Sequence, residues 1–260
     1  MLLSSSLRRI ALSATLLFAA ALAHADDRTA PAATIEPPRL PGIGAHDPRI
    51  RIDPNTVPWR AVGKLQSNVG SFAMSCTGTL VGPSTVLTAA HCLYSPRTRN
   101  YLPASAFHFL IGYDGDEPAA HTVGRRFVVG PGFDPKNPMK TPGSDWALLT
   151  LDRALGTADR RLTLLDRPPE IGTPIMIGGY SQDRRYVITA DSTCHILGMS
   201  VDDTGRRLLR HDCAGTRGVS GAPVLVEDHG VWRIAGVDIL AAASGAGGYA
   251  VMLDEIRSRL

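Results

Sequence analysis

Aromatic side chains are scarce in this 260-residue chain, at 6% of positions, and neither sign of charge dominates, with 27 basic against 24 acidic side chains. The near balance and the lack of any long run of like charge argue against a nucleic-acid partner and a polybasic membrane patch. Beyond the N-terminus no segment is apolar over the roughly 20 residues that span a bilayer. Helical periodicity is almost missing. Only Leu253, Ile256 and Leu260, three and four apart, mark one face of a short C-terminal helix. The 26 Gly and 19 Pro suit frequent turns better than a helical bundle. No internal repeat is visible. The 44% hydrophobic content rules out wholesale disorder and allows one large β-barrel domain or two packed smaller ones.

The N-terminal segment carries an export signature. Arg8 and Arg9 precede an apolar stretch from about Ile10 to Leu22, and Ala23-His24-Ala25 is a small-x-small cleavage site. Residues 1–25 are expected to be a signal peptide, because the apolar stretch is too short for a membrane anchor. Its removal leaves 25 basic side chains against 24 acidic, a net charge of +1, so charge argues for no partner. The product is expected to be secreted or periplasmic, with no membrane attachment once the signal is gone. Residues 26–58, rich in Pro, Ala and Asp, read as a propeptide or linker arm. Residues 59–260 form the remaining domain.

Four cysteines occur: Cys76, Cys92, Cys194 and Cys213. None belongs to a C-x-x-C pair, which disfavours a zinc site. An even number in an exported chain points to two disulfides. Three pairings are open. The local ones, Cys76–Cys92 and Cys194–Cys213, are favoured, each closing a short loop worth roughly 3 kcal/mol in the chain-entropy model.

From Trp59 onward about a dozen short β-like runs alternate with turn signals such as PGFDPKNP at 131–138 and DDTG at 202–205. The runs are 71–81, 85–90, 106–112, 126–129, 145–151, 174–179, 185–189, 194–199, 207–211, 223–226, 231–240 and 249–253. That pattern gives an all-β sandwich or barrels.

Three local motifs carry chemistry. His91 closes the run Val86-Leu-Thr-Ala-Ala-His-Cys92. Asp145 heads the apolar run Asp145-Trp-Ala-Leu-Leu-Thr-Leu151. Ser220 sits in the glycine turn Gly218-Val-Ser-Gly-Ala-Pro223. A serine hydroxyl is a poor nucleophile unless a neutral imidazole takes its proton, and a carboxylate behind the imidazole fixes the tautomer. A glycine turn lets the N–H groups of Gly218 and Ser220 converge where an oxyanion develops. Other readings of these residues are a core histidine, a strand-start acid and a turn serine. Asp134 and Asp152 are spare candidates for the acid. A metal hydrolase built on His91 and Asp145 lacks any H-x-x-x-H or comparable spacing.

TAAHC at 88–92, SDWALL at 144–149 and GVSGAPV at 218–224, in that order, resemble the His, Asp and Ser motifs of the chymotrypsin-like serine peptidases. The resemblance covers residues 59–260. It implies two packed six-stranded antiparallel β-barrels with a short C-terminal helix and a site in the cleft between them. It makes His91 the general base, Asp145 the orienting acid, Ser220 the nucleophile, and the N–H groups of Gly218 and Ser220 the oxyanion hole. A polypeptide substrate, no cofactor, no nucleic acid and a monomeric state follow from it. Animal digestive proteases carry an acid immediately before the nucleophile, where this chain has Val219, so their ion-pair activation is not expected. The HDCAGTRGVSGAPVL run is similar to the bacterial glutamyl-endopeptidase-like branch. Ala214 falls where trypsin-like enzymes hold the acid that selects Lys or Arg. Asp238 falls where glutamyl endopeptidases place a histidine. With Ala214 it is assigned to the substrate pocket, favouring a basic or neutral residue before the scissile bond, or else it points away and is paired. Arg217 is either a substrate contact or a solvated rim residue. His108, His121, His195, His211 and His229 read as surface or strand-packing residues, and Trp146 as core.

Overall fold

The computed structural model describes residues 40–69 and 72–260. The signal-peptide reading of residues 1–25 and the first part of the arm, 26–39, lie outside the described residues. Among the described residues no helix is long and apolar enough to cross a membrane.

Two closed antiparallel barrels account for the fold. The first contains β1 (Val62–Val69), β2 (Phe72–Leu80), β3 (Thr85–Thr88), β4 (Phe107–Ile111), β5 (Ala120–Val129) and β6 (Ala147–Leu151). Its strands run in the order β1-β2-β3-β6-β5-β4 around the barrel. The second contains β7 (Pro174–Gly179), β8 (Thr189–Val201), β9 (Arg207–His211), β10 (Pro223–Asp228), β11 (Val231–Ala241) and β12 (Gly248–Val251). Its ring is β7-β8-β9-β12-β11-β10, the same order repeated. Closure leaves few unpaired edges. Leu65, Leu80, Phe109 and Leu149 fill the first barrel, and Ile175, Ile177, Leu209 and Val224 the second.

Several sequence expectations shift. β1 was not among the expected runs. The run at 185–189 is turn and coil up to Thr189, where β8 begins: Arg185 and Tyr186 are exposed, and burial starts only at Ile188. The terminal helix, α1 (Asp254–Arg257), is one turn long. It buries Ile256 behind the buried Leu253, but Leu260 lies beyond it and is 56% exposed. Trp146 is core.

The described part of the arm is docked on the second barrel. Ile50–Arg51 pairs antiparallel with Thr189 and Ala190 of β8. Arg49, its side chain 2% exposed, bonds Asp47 in its own segment, and Ser181 and Asp183 on the barrel.

Candidate active site

β3 ends at Thr88 and the chain enters a single 3-10 turn, Ala90–Leu93, that carries His91. Cys92 in that turn is bonded to Cys76 on β2, which ties the turn to the barrel wall; Cys194–Cys213 is the second disulfide. Both are the expected local pairings. Asp145 ends another 3-10 turn, Pro142–Ser144, just before β6, and is 3% exposed. Its Oδ1 accepts the backbone N–H of His91 at 2.8 Å and its Oδ2 accepts Nδ1–H of the ring at 2.6 Å. A carboxylate only accepts, so Nδ1 carries the proton and Nε2 of the neutral ring keeps its lone pair. Burial disfavours the imidazolium, but the charge of Asp145, the hydrogen bond it accepts and the more distant charge of Asp238 outweigh burial. The His91 pKa is therefore held above its ordinary value.

The serine turn comes from the second barrel and is locked against the first. Thr77 N–H on β2 donates to Ser220 O at 2.9 Å, and Ser220 O lies 3.7 Å from Cys92 Sγ. Gly221 has φ +85°, and a Cβ there would overlap Thr77 O and Thr88 Oγ1. Gly218 has φ +95°, and a Cβ there would overlap Tyr180 O. Glycine is required at both positions by conformation and by space. Within the turn the N–H groups of Val219, Gly221 and Ala222 are used, on Thr216 O, Asp238 O and Val219 O. Those of Gly218 and Ser220 meet no acceptor among the described residues. Gln182 N–H holds Arg217 O at 2.7 Å, which fixes the Arg217–Gly218 peptide plane and turns the Gly218 N–H the opposite way. Two unspent donors beside a hydroxyl can take up a developing anionic oxygen. The Ser220 hydroxyl and His91 Nε2 make no hydrogen bond within the described residues.

The family profile described as Trypsin matches residues 50–254. The chain belongs to the trypsin family. It is 27% identical over 182 residues to trypsin zeta of Drosophila erecta, covering 64% of this chain and 62% of that one. It is 28% identical over 186 residues to a glutamyl endopeptidase of Bacillus licheniformis, covering 70% and 54%. The chain thus spans less than two thirds of the length of these relatives. A solved Glu endopeptidase structure, in complex with MPD, shares the fold at a TM-score of 0.67 and 21% identity, over 83% of this chain and 96% of that one.

Within this trypsin-family frame the remaining candidates separate. Asp134 and Asp152 do not reach His91: Asp134 caps its own loop at Lys136 and Asn137, and Asp152 is exposed. Val219 is buried in the second-barrel core, so no acid precedes Ser220. Ala214 is 2% exposed, and its N–H is held by Asp191 Oδ2 at 2.8 Å. Asp238 is paired: His211 Nε2–H donates to its Oδ1 at 3.1 Å, and both residues are buried. Of the two readings of Asp238, the geometry is that of the paired one, and His211 is its partner.

Three residues escaped the sequence reading. Thr77 on β2 donates its hydroxyl to Gly218 O at 2.9 Å and accepts Tyr180 N–H at 3.1 Å. Asp191 on β8 also accepts from the backbone and hydroxyl of Thr193. Gly42, in the arm, donates to Ala242 O at 2.8 Å and accepts from Gly215 N–H at 3.1 Å. It thereby joins the segment after Ala214 to the end of β11. The only hint of Gly42 in the sequence was the Pro-Gly-Ile-Gly run at 41–44.

Proposed function

We propose that this chain is an exported serine endopeptidase that hydrolyses peptide bonds through an acyl-enzyme on Ser220. The observation that carries the reading is the buried Asp145 carboxylate, which fixes His91 by two hydrogen bonds and leaves Nε2 as the free basic atom. His91 takes the Ser220 proton as the hydroxyl oxygen attacks the scissile carbonyl carbon. It then gives that proton to the leaving amine. Asp145 stays ionised and stabilises the imidazolium. The N–H groups of Gly218 and Ser220 hold the oxyanion. Water attacks the ester with His91 again as base, which releases the acid and restores the serine.

The absence of a hydrogen bond between Ser220 and His91 gives a second reading some support, a protease-fold binding protein without catalysis. Such bonds are often long in enzymes without substrate and tighten on binding. A fluorophosphonate probe decides between them. We expect labelling of the parent chain at Ser220 and none of Ser220→Ala, whose turnover falls on the order of 10⁶-fold. An unlabelled parent chain, or a Ser220→Ala variant as active as the parent, overturns the enzyme reading.

Before the scissile bond we expect a neutral side chain, because the Asp238 carboxylate is taken up by His211. A peptide panel in which cleavage after Lys or Arg outpaces cleavage after neutral residues overturns that expectation.

A further inference from the structure

Beside His91, a small apolar pocket is bordered by Pro142, Ile239 and Leu240. A second groove, of about 460 Å³, shares no residue with it and ends at Arg217 and Gly218. Lys64 of β1 forms part of its wall and is 5% exposed. Its ammonium group donates to Arg185 O at 2.9 Å and lies 4.8 Å and 5.6 Å from the ring centroids of Tyr113 and Tyr186. Arg185 and Arg217 also line the groove and are exposed.

Three cations therefore face one groove, and none of them is paired with a carboxylate among the described residues. Two nearby acids are engaged elsewhere, Asp114 with Arg51 at 2.6 Å and Asp183 with Arg49 at 2.7 Å, while Asp116, whose charge reaches Tyr113, is exposed to solvent. A buried ammonium without a counter-ion is unfavourable, and the ring faces of two tyrosines offset only part of that. Burial and the Arg185 charge accordingly press the Lys64 pKa downward. A carboxylate entering the groove relieves both effects, and the amide groups of Gln66 and Gln182 line the same space.

Direction along the substrate follows from the reading of Ser220 as nucleophile. The resemblance assigns Ala214 and Asp238 to the residue before the scissile bond, and neither of them lines this groove. Gly218, whose N–H would hold the scissile carbonyl oxygen, borders the groove. We propose that this groove is a leaving-group-side subsite for a substrate carboxylate, with Lys64, Arg185 and Arg217 as its specificity residues. The inference rests on the serine peptidase reading. The carboxylate can come from an Asp or Glu side chain or from a peptide's own C-terminus.

Quenched fluorescent peptides with one fixed acyl half test it. One arm places Ala, Glu or Lys at each of the first three positions after the scissile bond, with amidated C-termini. Another ends Ala peptides as free acids two or three residues after the bond. We expect a carboxylate in at least one arm to raise kcat/KM about tenfold over its neutral counterpart, and Lys to lower it. The gain should shrink as ionic strength rises from about 0.05 M to about 0.5 M. It should collapse toward unity in Lys64→Met and in Arg185→Ala/Arg217→Ala. The arginine pair is exposed, so it carries the test if Lys64→Met does not fold. Flat rates across Ala, Glu, Lys and the free acids overturn the subsite, as does a carboxylate preference that survives the substitutions. Fluorophosphonate labelling in parallel separates the failures: no label at Ser220 overturns the peptidase reading, whereas a labelled enzyme with a flat panel overturns the subsite alone.

Discussion

Thr77 offers a sharp test of how the two barrels build the site together. Its hydroxyl, fully buried on a first-barrel strand, donates to Gly218 O and accepts Tyr180 N–H, both on the second barrel. Thr77→Val keeps the shape and removes both bonds. Gly218 O and Tyr180 N–H are then left without that partner, and an orphaned buried group is destabilising by about 1–3 kcal/mol. We expect a total near 3 kcal/mol, after some relaxation. For a domain of this size that is a fall in Tm of about 6–12 °C. Function should suffer separately, because Gly218 O belongs to the peptide that links the two proposed oxyanion donors. A loosened turn misplaces those donors, and losing one such donor lowers turnover about 10²–10³-fold. We expect Thr77→Val to lose about tenfold or more in kcat with little change in KM, and Thr77→Ser to recover most of both losses. Calorimetry and steady-state kinetics on a small ester substrate read the two effects. A valine variant with parental Tm and kcat refutes the reasoning.

The pH profile should rise as His91 loses its proton. Because that pKa is held above the ordinary 6.5, the acid limb of kcat/KM should have its midpoint above pH 6.5, and activity should fall below it. Asp145→Asn removes the charge that raises the value and frees the ring to adopt the wrong tautomer. The limb should move to lower pH, and turnover should fall about 10⁴-fold, the size known for this exchange in a serine-protease triad. Gly42→Ala should be destabilising by about 1–3 kcal/mol, since Gly42 has φ +77° and a Cβ would overlap Gly215 O. It should also change the cleavage profile at the residue before the scissile bond. An unaltered profile separates the arm from the pocket. Arg49→Leu takes a buried guanidinium from Asp47 and Asp183, which keep only Arg184, and should be destabilising by about 1–3 kcal/mol, read as a lower Tm and earlier proteolysis within residues 40–53.

Strands dry on both faces were legible where they are continuous apolar runs, as in β6 and β10, and β1 was hidden because polar residues interrupt its buried run. Along β1, Val62, Lys64, Leu65 and Ser67 are all buried, so the strand lacks the alternation that marks a half-exposed one. A buried lysine and a buried serine further disguise it as a loop. The run at 185–189 fails the other way: its composition is β-like, but it turns before β8 begins. The motifs around His91, Asp145 and Ser220 could be read because each needs a local constraint written into adjacent residues: a cysteine that pins the turn, an apolar strand behind the acid, glycines that permit the bend. What supports those motifs has no such local mark. His211 and Asp238 meet because β9 and β11 both pair with β12, which brings together residues 27 apart in sequence. Thr77, Asp191 and Gly42 act through backbone groups of distant segments, and a backbone acceptor has no letter in the sequence. Side chains that carry the chemistry must be particular residue types, so sequence displays them. Side chains that merely hold a peptide plane need only an oxygen or a missing Cβ in the right place, and only the closed barrels reveal where that place is.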